Sequence, residues 1–497
     1  MQVKKLAFLL SLCLVLAAFV EAFTHCGSPL SSPLFEADQQ MFFMSAKAWW
    51  NGLLPYRDCA DVKGPFLYLF YLAGYLLSPV TFHGVFAVQI VWSALLFFVL
   101  YRTAHLFLDP YPSALALCIT LGSIYFPYYH DAGSRAEDIM MLPIALLLYA
   151  VCRYVVTERG HAKALLYLCA LNGAVAWILF FIKYNACFIN VAIAAWLIYE
   201  TWNRGLLAKG LLATIAGGVA VILPVGAYLI ATGTFSDFIA IYFKLNAETY
   251  TNFIAVHHAY SWKKSILGDG GLSLVTTCAW LAGILFLRLP RGLRAPLLLS
   301  LAGARLAASG PWPYYLQLVA PFGIFPAVAL VQRLNSLSKR AIVAIGAAAC
   351  ALIVLASPRT NATNAWRLLR GEKLPATLTA VEEYMQSAPN SSILVLNSLD
   401  PGLGTSSHQL PAGTFWCSLN GMPRTVEEQL NDGYRSGAAD FVIVGACFEP
   451  NGKEKAEKDL RLHGYRHVME MKTEQYVRTW KRMRIPKETY ALWTKAT

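Results

Sequence analysis

The sequence contains few charged residues. Asp, Glu, Lys and Arg make up 14% of its 497 residues, whereas hydrophobic residues make up 57%. A soluble protein of this size contains about 25% charged residues. Apolar runs long enough to cross a bilayer recur from Leu6 to Ala356. The composition therefore excludes an ordinary soluble protein and predicts a polytopic α-helical membrane protein.

Signatures of several other protein classes are also missing. No glycine-rich phosphate loop follows a predicted strand, and no spacing of Cys and His residues matches a zinc site. No basic stripe with interleaved aromatic residues occurs, so the net charge of +12 does not indicate nucleic-acid binding. The excess of Lys and Arg lies mainly in short loops of the apolar part, as the positive-inside rule describes.

The composition changes at Pro358, where a polar segment with ordinary charge density begins. The runs "SSILVLN" and "ADFVIVGA" predict buried strands, and "YRHVMEM" with "EQYVRTWKR" predicts a hairpin. The sequence thus predicts a transmembrane domain over residues 1–357 and an extracytoplasmic α/β domain over residues 358–497. A docked accessory role is the simplest hypothesis for the second domain.

The positions of Lys and Arg predict the topology. Lys4 and Lys5 place the N-terminus in the cytoplasm. The apolar segment after them resembles a signal peptide, and we expect a retained first helix rather than cleavage near Ala22. Gly64–Pro79 is short for a span, so we expect interfacial helices within an outer loop over residues 24–82. This topology has about 11 transmembrane helices. It places residues 358–497 and most acidic residues of the transmembrane domain outside. The predicted helices are 6–23, 83–101, 111–129, 139–156, a hairpin that turns near Lys183–Asn185, 211–231, 271–287, a hairpin that turns near Gly310–Pro313, and 341–357.

Apart from the charges of the cytoplasmic loops, most charged side chains of residues 1–357 lie in three predicted outer segments. Charges at a membrane face are costly to bury and usually mark function. Cations that bind a phosphate, beside a carboxylate that accepts a proton, suit an enzyme acting on a phosphorylated lipid. Each residue alone is also compatible with an ordinary solvated loop. The residues are Glu36, Asp38, Asp58, Asp61 and Lys63; Asp131, Arg135, Glu137 and Asp138; and Lys244, Glu248, His257, His258, Lys263 and Lys264.

Two alternatives to an enzyme of this kind stay open. A transporter or flippase would show repeats, and charges or broken helices at mid-membrane. A polysaccharide polymerase of the cell envelope would also place acidic and basic groups in outer loops. The order of an acid, a lysine and an acid, at Asp38, Lys63 and Glu137, favours a transferase.

Most of the 11 cysteines lie in predicted membrane segments, where they behave as small apolar residues. Cys26, Cys59, Cys417 and Cys447 are expected outside. In an oxidising compartment Cys26 and Cys59 are candidates for a disulfide, and the sequence leaves this open.

The first outer loop, "EADQQMFFMSAKAWWNGLLPYRDCADVKGP", resembles that of GT-C glycosyltransferases. The branch in question includes protein O-mannosyltransferases, lipid A aminoarabinose transferases and RgtA/B/C/D-like proteins. The shared features are an Asp soon after the first helix, a helix that ends in "GLLPYRD", and a "KGP" turn. The stretches "SRAEDIMMLPIALLLY", "FFIKYNA" and "WPYYLQLVAPF" resemble later family landmarks in the same order, so the resemblance covers roughly residues 1–350.

The resemblance implies an inverting enzyme of the plasma (inner) membrane. It would move a hexose or pentose from a polyprenyl-phosphate donor to an envelope acceptor, such as lipid A, another glycan or a protein. Asp38 matches the catalytic base, and Lys63 matches the lysine that binds the lipid phosphate. The family often has Asp-Glu at the first acid, whereas Asp38 is followed here by Gln39.

The resemblance also implies a second acid and two aromatic residues of the site. Glu137, or Asp138 beside it, matches the second acid, which positions substrate or a metal. Tyr314 and Tyr315 match aromatic residues along the lipid-sugar site. A divalent metal is possible, and the sequence does not decide whether one binds. Further candidates for substrate binding are Asp61, Arg135, Lys183, Arg305, His257 and His258.

Overall fold

Two compact units are built from interleaved parts of the chain. A computed structural model describes residues 2–31, 37–126, 128–130, 133–249, 271–290, 292–308, 312–334, 338–356, 361–372, 379–398, 400, 402–418, 423–446, 451–472 and 489–496. The first unit, here called the helical unit, comprises residues 1–24, 89–225 and 260–357. The second, the α/β unit, comprises residues 25–88, 226–259 and 358–497. The predicted domain boundary after residue 357 stays a prediction.

Helices dominate the described residues. They are α1 (Gln2–Thr24), α2 (Ala37–Trp50), α3 (Pro65–Leu77), α4 (His83–Ala104), α5 (Pro110–Ile124), α6 (Ala136–Arg153), α7 (Ala162–Phe180), α8 (Phe188–Trp202), α9 (Leu207–Ala231), α10 (Phe235–Phe238), α11 (Leu272–Phe286), α12 (Arg294–Ala307), α13 (Ile324–Arg333), α14 (Lys339–Ala356), α15 (Asn361–Leu369), α16 (Thr379–Gln386), α17 (Leu403–Ser406), α18 (Arg424–Arg435) and α19 (Gly452–Leu462). A 3₁₀ helix, Pro313–Gly323, leads directly into α13, and π-helical turns extend α6 and α10.

Six helices within the described ranges are long and apolar enough to cross a membrane. They are Lys4–Thr24, His83–Ala104, Ala136–Glu158, Ala162–Phe180, Leu207–Ala231 and Pro313–Arg333. This confirms a multi-pass membrane protein. The other predicted spans coincide with shorter helices such as α5, which has 15 residues, so the count of 11 stays a prediction. Helix α3 has 13 residues and is about 20 Å long, less than the thickness of a bilayer core.

Close helix packing in the helical unit depends on glycine. A Cβ atom on Gly173 of α7 would lie 2.0 Å from the carbonyl oxygen of Thr214 on α9. A Cβ atom on Gly217 of α9 would lie 1.9 Å from the carbonyl oxygen of Ala170 on α7. The two backbones therefore approach as closely as small residues allow, a common way for membrane helices to associate.

The α/β unit contains a five-stranded sheet in the order β2-β1-β3-β5-β4. Its strands are β1 (Ser392–Leu396), β2 (Leu410–Pro411), β3 (Phe441–Val444), β4 (Tyr465–Lys472) and β5 (Thr489–Lys495). Strand β1 runs parallel to β2 and β3, whereas β5 runs antiparallel to β3 and β4. The runs predicted as buried strands form β1 and β3, and their nearly continuous burial is typical of parallel strands.

Strand β4 has a partner that the sequence did not indicate, and the predicted hairpin stays a prediction. The structure pairs β4 with β5, "TYALWTK", from Tyr465 opposite Lys495 to Lys472 opposite Thr489. The segment "EQYVRTWKR" lies outside the described residues. Four consecutive residues of β5, 490–493, are buried, as expected for a strand inside a sheet.

Candidate functional site

The first cluster of charged side chains lies in the α/β unit and is here called the loop cluster: Asp38, Asp61 and Lys63. Asp38 occupies the first turn of α2, where the helix dipole favours a carboxylate. The Lys63 ammonium lies 5.7 Å from the ring centroid of Phe42. Since Phe42 follows Asp38 by one helical turn, the two share a face of α2. Lys63 is therefore held on the face that presents Asp38.

Asp61 completes the loop cluster. Its side chain is only 3% exposed. Burial raises its pKa, the negative charge of Asp38 raises it further, and the positive charge of Lys63 opposes both effects. The three charges thus act on one another. The structure brings together the predicted base, the predicted phosphate-binding lysine and one further predicted substrate-binding residue.

The titration of Asp61 gives a prediction for stability. Because its native pKa is raised, the native state holds the proton more tightly than the unfolded chain. The stabilisation is present at acidic pH and is lost as the pH rises through the native pKa. We expect the midpoint of thermal unfolding of the wild type, relative to Asp61→Asn, to fall as the pH rises above the ordinary pKa of an aspartate, about 3.9. The same comparison with Asp432→Asn, which changes an exposed carboxylate, should show no such trend.

The "PYRD" turn fixes the backbone of Lys63. Tyr56 has φ = 71°, which is rare for a bulky residue and costs about 1–3 kcal/mol. Its hydroxyl donates a hydrogen bond to the carbonyl oxygen of Lys63 at 3.0 Å. The carboxylate of Asp58 accepts a hydrogen bond from the Leu54 amide at 2.7 Å and closes the turn. Asp58 therefore has a structural role within the loop.

The second cluster lies in the helical unit and is here called the helix cluster: Arg135, Glu137, Asp138 and Lys183. Glu137 and Asp138 occupy the first turn of α6, and both are buried. The Asp138 carboxylate accepts a hydrogen bond from the Arg135 amide at 3.0 Å, as a capping carboxylate does. The Lys183 ammonium lies 2.7 Å from the Glu137 carboxylate, and both side chains are less than one-tenth exposed. Each charge therefore compensates the other in an environment with little water.

Two tyrosines of the 3₁₀ helix contact the cations of the helix cluster. The Lys183 ammonium lies 3.4 Å from the ring centroid of Tyr315. The Arg135 guanidinium lies 4.1 Å from the ring centroid of Tyr314. Both distances are within the range of cation–π attraction. The structure thus brings four predicted residues into contact with one another or with Glu137 and Asp138. They are Arg135, Lys183, Tyr314 and Tyr315.

Buried polar residues that were not predicted from the sequence extend the helix cluster. His130 Nδ1 lies 2.9 Å from Gln317 Nε2 and 3.6 Å from an Asp138 oxygen. Glu21, in the last turns of α1, is 1% exposed and accepts hydrogen bonds from Ser93 at 2.5 Å and Tyr125 at 2.7 Å. A single acid within an apolar span was the available signal for Glu21.

The other predicted residues have different positions. The Arg305 guanidinium donates hydrogen bonds to the Ala308 carbonyl at 3.2 Å and the Ser273 hydroxyl at 3.0 Å, at the end of α12. His257 and His258 lie outside the described residues, as do Glu36 and Asp131. Across the part of the chain that the structure describes, no group of three or more His, Cys, Asp or Glu side chains is placed to bind a metal.

The candidate disulfide is not formed. Cys26 and Cys59 are both buried free thiols. The Cys59 sulfur lies 3.9 Å from the Ser45 hydroxyl oxygen on α2. The cysteine therefore packs against α2, and the hypothesis of a Cys26–Cys59 bridge is wrong for this structure.

Solved structures with the same architecture are known. ArnT from Cupriavidus metallidurans, bound to undecaprenyl phosphate, aligns with a TM-score of 0.60 at 12% identity, over 99% of this chain and 98% of ArnT. The apo form of the same protein aligns with a TM-score of 0.55 at 13% identity, over the same shares of the two chains. No protein-family model matches the sequence, and no curated protein matches it significantly. The shared architecture confirms the predicted resemblance to the GT-C fold.

Proposed function

We propose that the protein is a membrane glycosyltransferase that moves a sugar from a polyprenyl-phosphate donor to an acceptor of the cell envelope. The observation that supports this most directly is the loop cluster, which sets a carboxylate beside a lysine in a GT-C fold. The ArnT structure of the same fold is bound to undecaprenyl phosphate, which is a polyprenyl phosphate. The proposal also includes three points about the membrane. The protein lies in the plasma membrane and crosses it 11 times. The first outer loop and residues 358–497 lie on the outer side of that membrane.

The loop cluster has the groups that an inverting transfer needs. An acceptor hydroxyl attacks the anomeric carbon while the bond from that carbon to the phosphate oxygen breaks. The polyprenyl phosphate leaves with the electron pair, and Lys63 stabilises its negative charge. The hydroxyl proton passes to Asp38, which is half-buried and hence more accessible than Asp61.

We assign the helix cluster to substrate positioning. Glu137 or Asp138 is the second acid that the resemblance implies. The charge of Lys183 is compensated by Glu137, so its main effect is to hold that carboxylate in place. The stacked side chains of Arg135 and Tyr314 offer a cation and an aromatic face to a sugar phosphate.

A donor comparison tests the proposal. The purified protein in lipid nanodiscs receives an envelope acceptor fraction with either polyprenyl-phosphate sugars, hexoses and pentoses in turn, or the matching nucleotide sugars. We expect transfer from a lipid-linked donor and none from a nucleotide sugar. A second arm uses the same protein in sealed vesicles. Movement of labelled lipid across the bilayer, without formation of a glycosidic bond in either arm, would contradict the proposal and indicate a flippase.

Lys63 provides a more specific prediction. Lys63→Met should raise the KM for the donor and lower kcat/KM by about 10- to 100-fold, since a hydrogen bond to a charged group contributes about 1.5–3 kcal/mol. Steady-state kinetics with varied donor measure the effect. Lys455→Met, which changes an exposed lysine of the same unit, is the matched control. An unchanged donor KM in Lys63→Met would remove Lys63 from phosphate binding.

A further inference from the structure

A buried lysine on the Asp38 helix contacts a distant part of the chain. Lys47 of α2 is 1% exposed. Its ammonium donates hydrogen bonds to the carbonyl oxygens of Gly404 at 2.5 Å and Ser407 at 3.0 Å. Carbonyls at the end of a short helix such as α17 lack partners within the helix. The lysine therefore satisfies α17 from outside, and α17 gives a buried ammonium the partners that it needs.

A buried carboxylate satisfies the other end of the same short helix. Asp400 is 2% exposed. Its oxygens accept hydrogen bonds from the amides of Gly402 and Leu403, both at 3.1 Å, and from the amide of Gly404 at 3.0 Å. Helix α17 thus has a carboxylate at its positive end and a lysine at its negative end, which is the favourable arrangement for its dipole.

The contact with α17 extends along one stripe of α2. Gln40 accepts a hydrogen bond from the Thr405 hydroxyl. A Cβ atom on Gly404 would lie 2.8 Å from the terminal methyl carbon of Met44, so these two residues are in close contact. Gln40, Met44 and Lys47 follow the spacing i, i+4, i+7, which places them on one face of a helix.

The face of α2 that contacts α17 is not the face that presents Asp38. Asp38 and Phe42 lie one turn apart, and the second of them contacts Lys63 of the loop cluster. Helix α2 therefore has the loop cluster on one face and the segment 402–407 on another. A shift of α2 against that segment would move the carboxylate of Asp38.

We propose that the segment 402–407, together with Asp400, is a brace that positions α2, and with it Asp38, for sugar transfer. Lys47, Asp400 and Thr405 are positioning residues in this account, and none of them contacts the substrate. The activity part of the inference rests on the proposed function. It gives the C-terminal region a role in the reaction beyond that of an accessory domain.

Two variants test the brace, and they weaken its contacts with α2 to different extents. Lys47→Met removes the ammonium and keeps an unbranched side chain, whereas Thr405→Val removes only one hydroxyl. We expect kcat at saturating donor to fall about 10- to 100-fold in Lys47→Met, since small misplacements of catalytic groups have effects of this size. The fall should be smaller in Thr405→Val, and the KM for the donor should change little in both. Lys455→Met is the control.

Hydrogen exchange of the α2 amides, residues 37–50, provides a readout that does not depend on activity. Faster exchange in α2, with unchanged exchange in α7 and α9, supports the brace in either variant, even if the wild type transfers no sugar. A folded Lys47→Met protein with wild-type exchange in α2 and wild-type kcat would overturn it. Should Lys47→Met not fold, Thr405→Val decides: wild-type exchange and kcat in that variant would overturn the proposal as well.

Discussion

Asp38→Asn is expected to lower sugar transfer by about 10²- to 10⁴-fold, the range that a general base contributes. Asparagine has nearly the same shape as aspartate, but its amide does not accept the proton of the attacking hydroxyl. The loss should be in kcat at saturating donor and acceptor, because the donor phosphate is bound by Lys63 rather than by Asp38. Single-turnover transfer from a labelled donor measures it.

The stability of this variant should change little. Loss of a carboxylate from the first turn of α2 costs about 0.3–1 kcal/mol. Removal of a neighbouring negative charge also makes ionisation of the buried Asp61 easier. Asp432→Asn, on an exposed face of α18, controls for the chemical change. Wild-type transfer by Asp38→Asn would show that another acid is the base, and Asp61, Glu137 and Asp138 would be tested next.

The second large effect is expected at the Glu137–Lys183 pair. Lys183→Met leaves the Glu137 carboxylate buried without its cation, which typically destabilises a protein by about 3–5 kcal/mol. Adding Glu137→Gln should restore most of that stability, since the double variant no longer buries an isolated charge. Thermal unfolding in detergent measures both variants. Lys163→Met, an exposed lysine at the start of α7, is the control.

Sugar transfer by the double variant distinguishes between two roles of the Glu137–Lys183 pair. If Glu137 positions substrate, the stable double variant still transfers sugar poorly. If the pair only holds α6 in place, the double variant recovers both stability and transfer. Unchanged stability in Lys183→Met would contradict the compensation that the 2.7 Å contact indicates.

Much of the fold follows from local sequence patterns. Apolar runs predict the membrane helices, and the short length of Gly64–Pro79 predicts a helix such as α3 that does not span. Continuous apolar runs likewise predict β1 and β3. The pairing of β4 with β5 was not predicted, because strand pairing depends on residues that are distant in the chain.

The candidate site was predictable where a motif is local. The loop around Asp38 and Lys63 lies within one short stretch, so the sequence places its charges together. Contacts such as Lys183 with Glu137, His130 with Gln317, and Lys47 with α17 join residues far apart in the chain. Helix packing determines these contacts, and no local pattern indicates them. Their functional roles stay predictions that the variants above test.

The most direct test of an inverting sugar transfer is to analyse the products of a single turnover. The wild-type protein in nanodiscs is mixed with a polyprenyl-phosphate sugar of known anomeric configuration and an acceptor. Released polyprenyl phosphate and the new glycosidic bond are then quantified, and the configuration of the bond is determined by NMR. We expect one bond formed for each phosphate released, with inverted configuration. Retained configuration, or release of phosphate without a new bond, would contradict an inverting transfer.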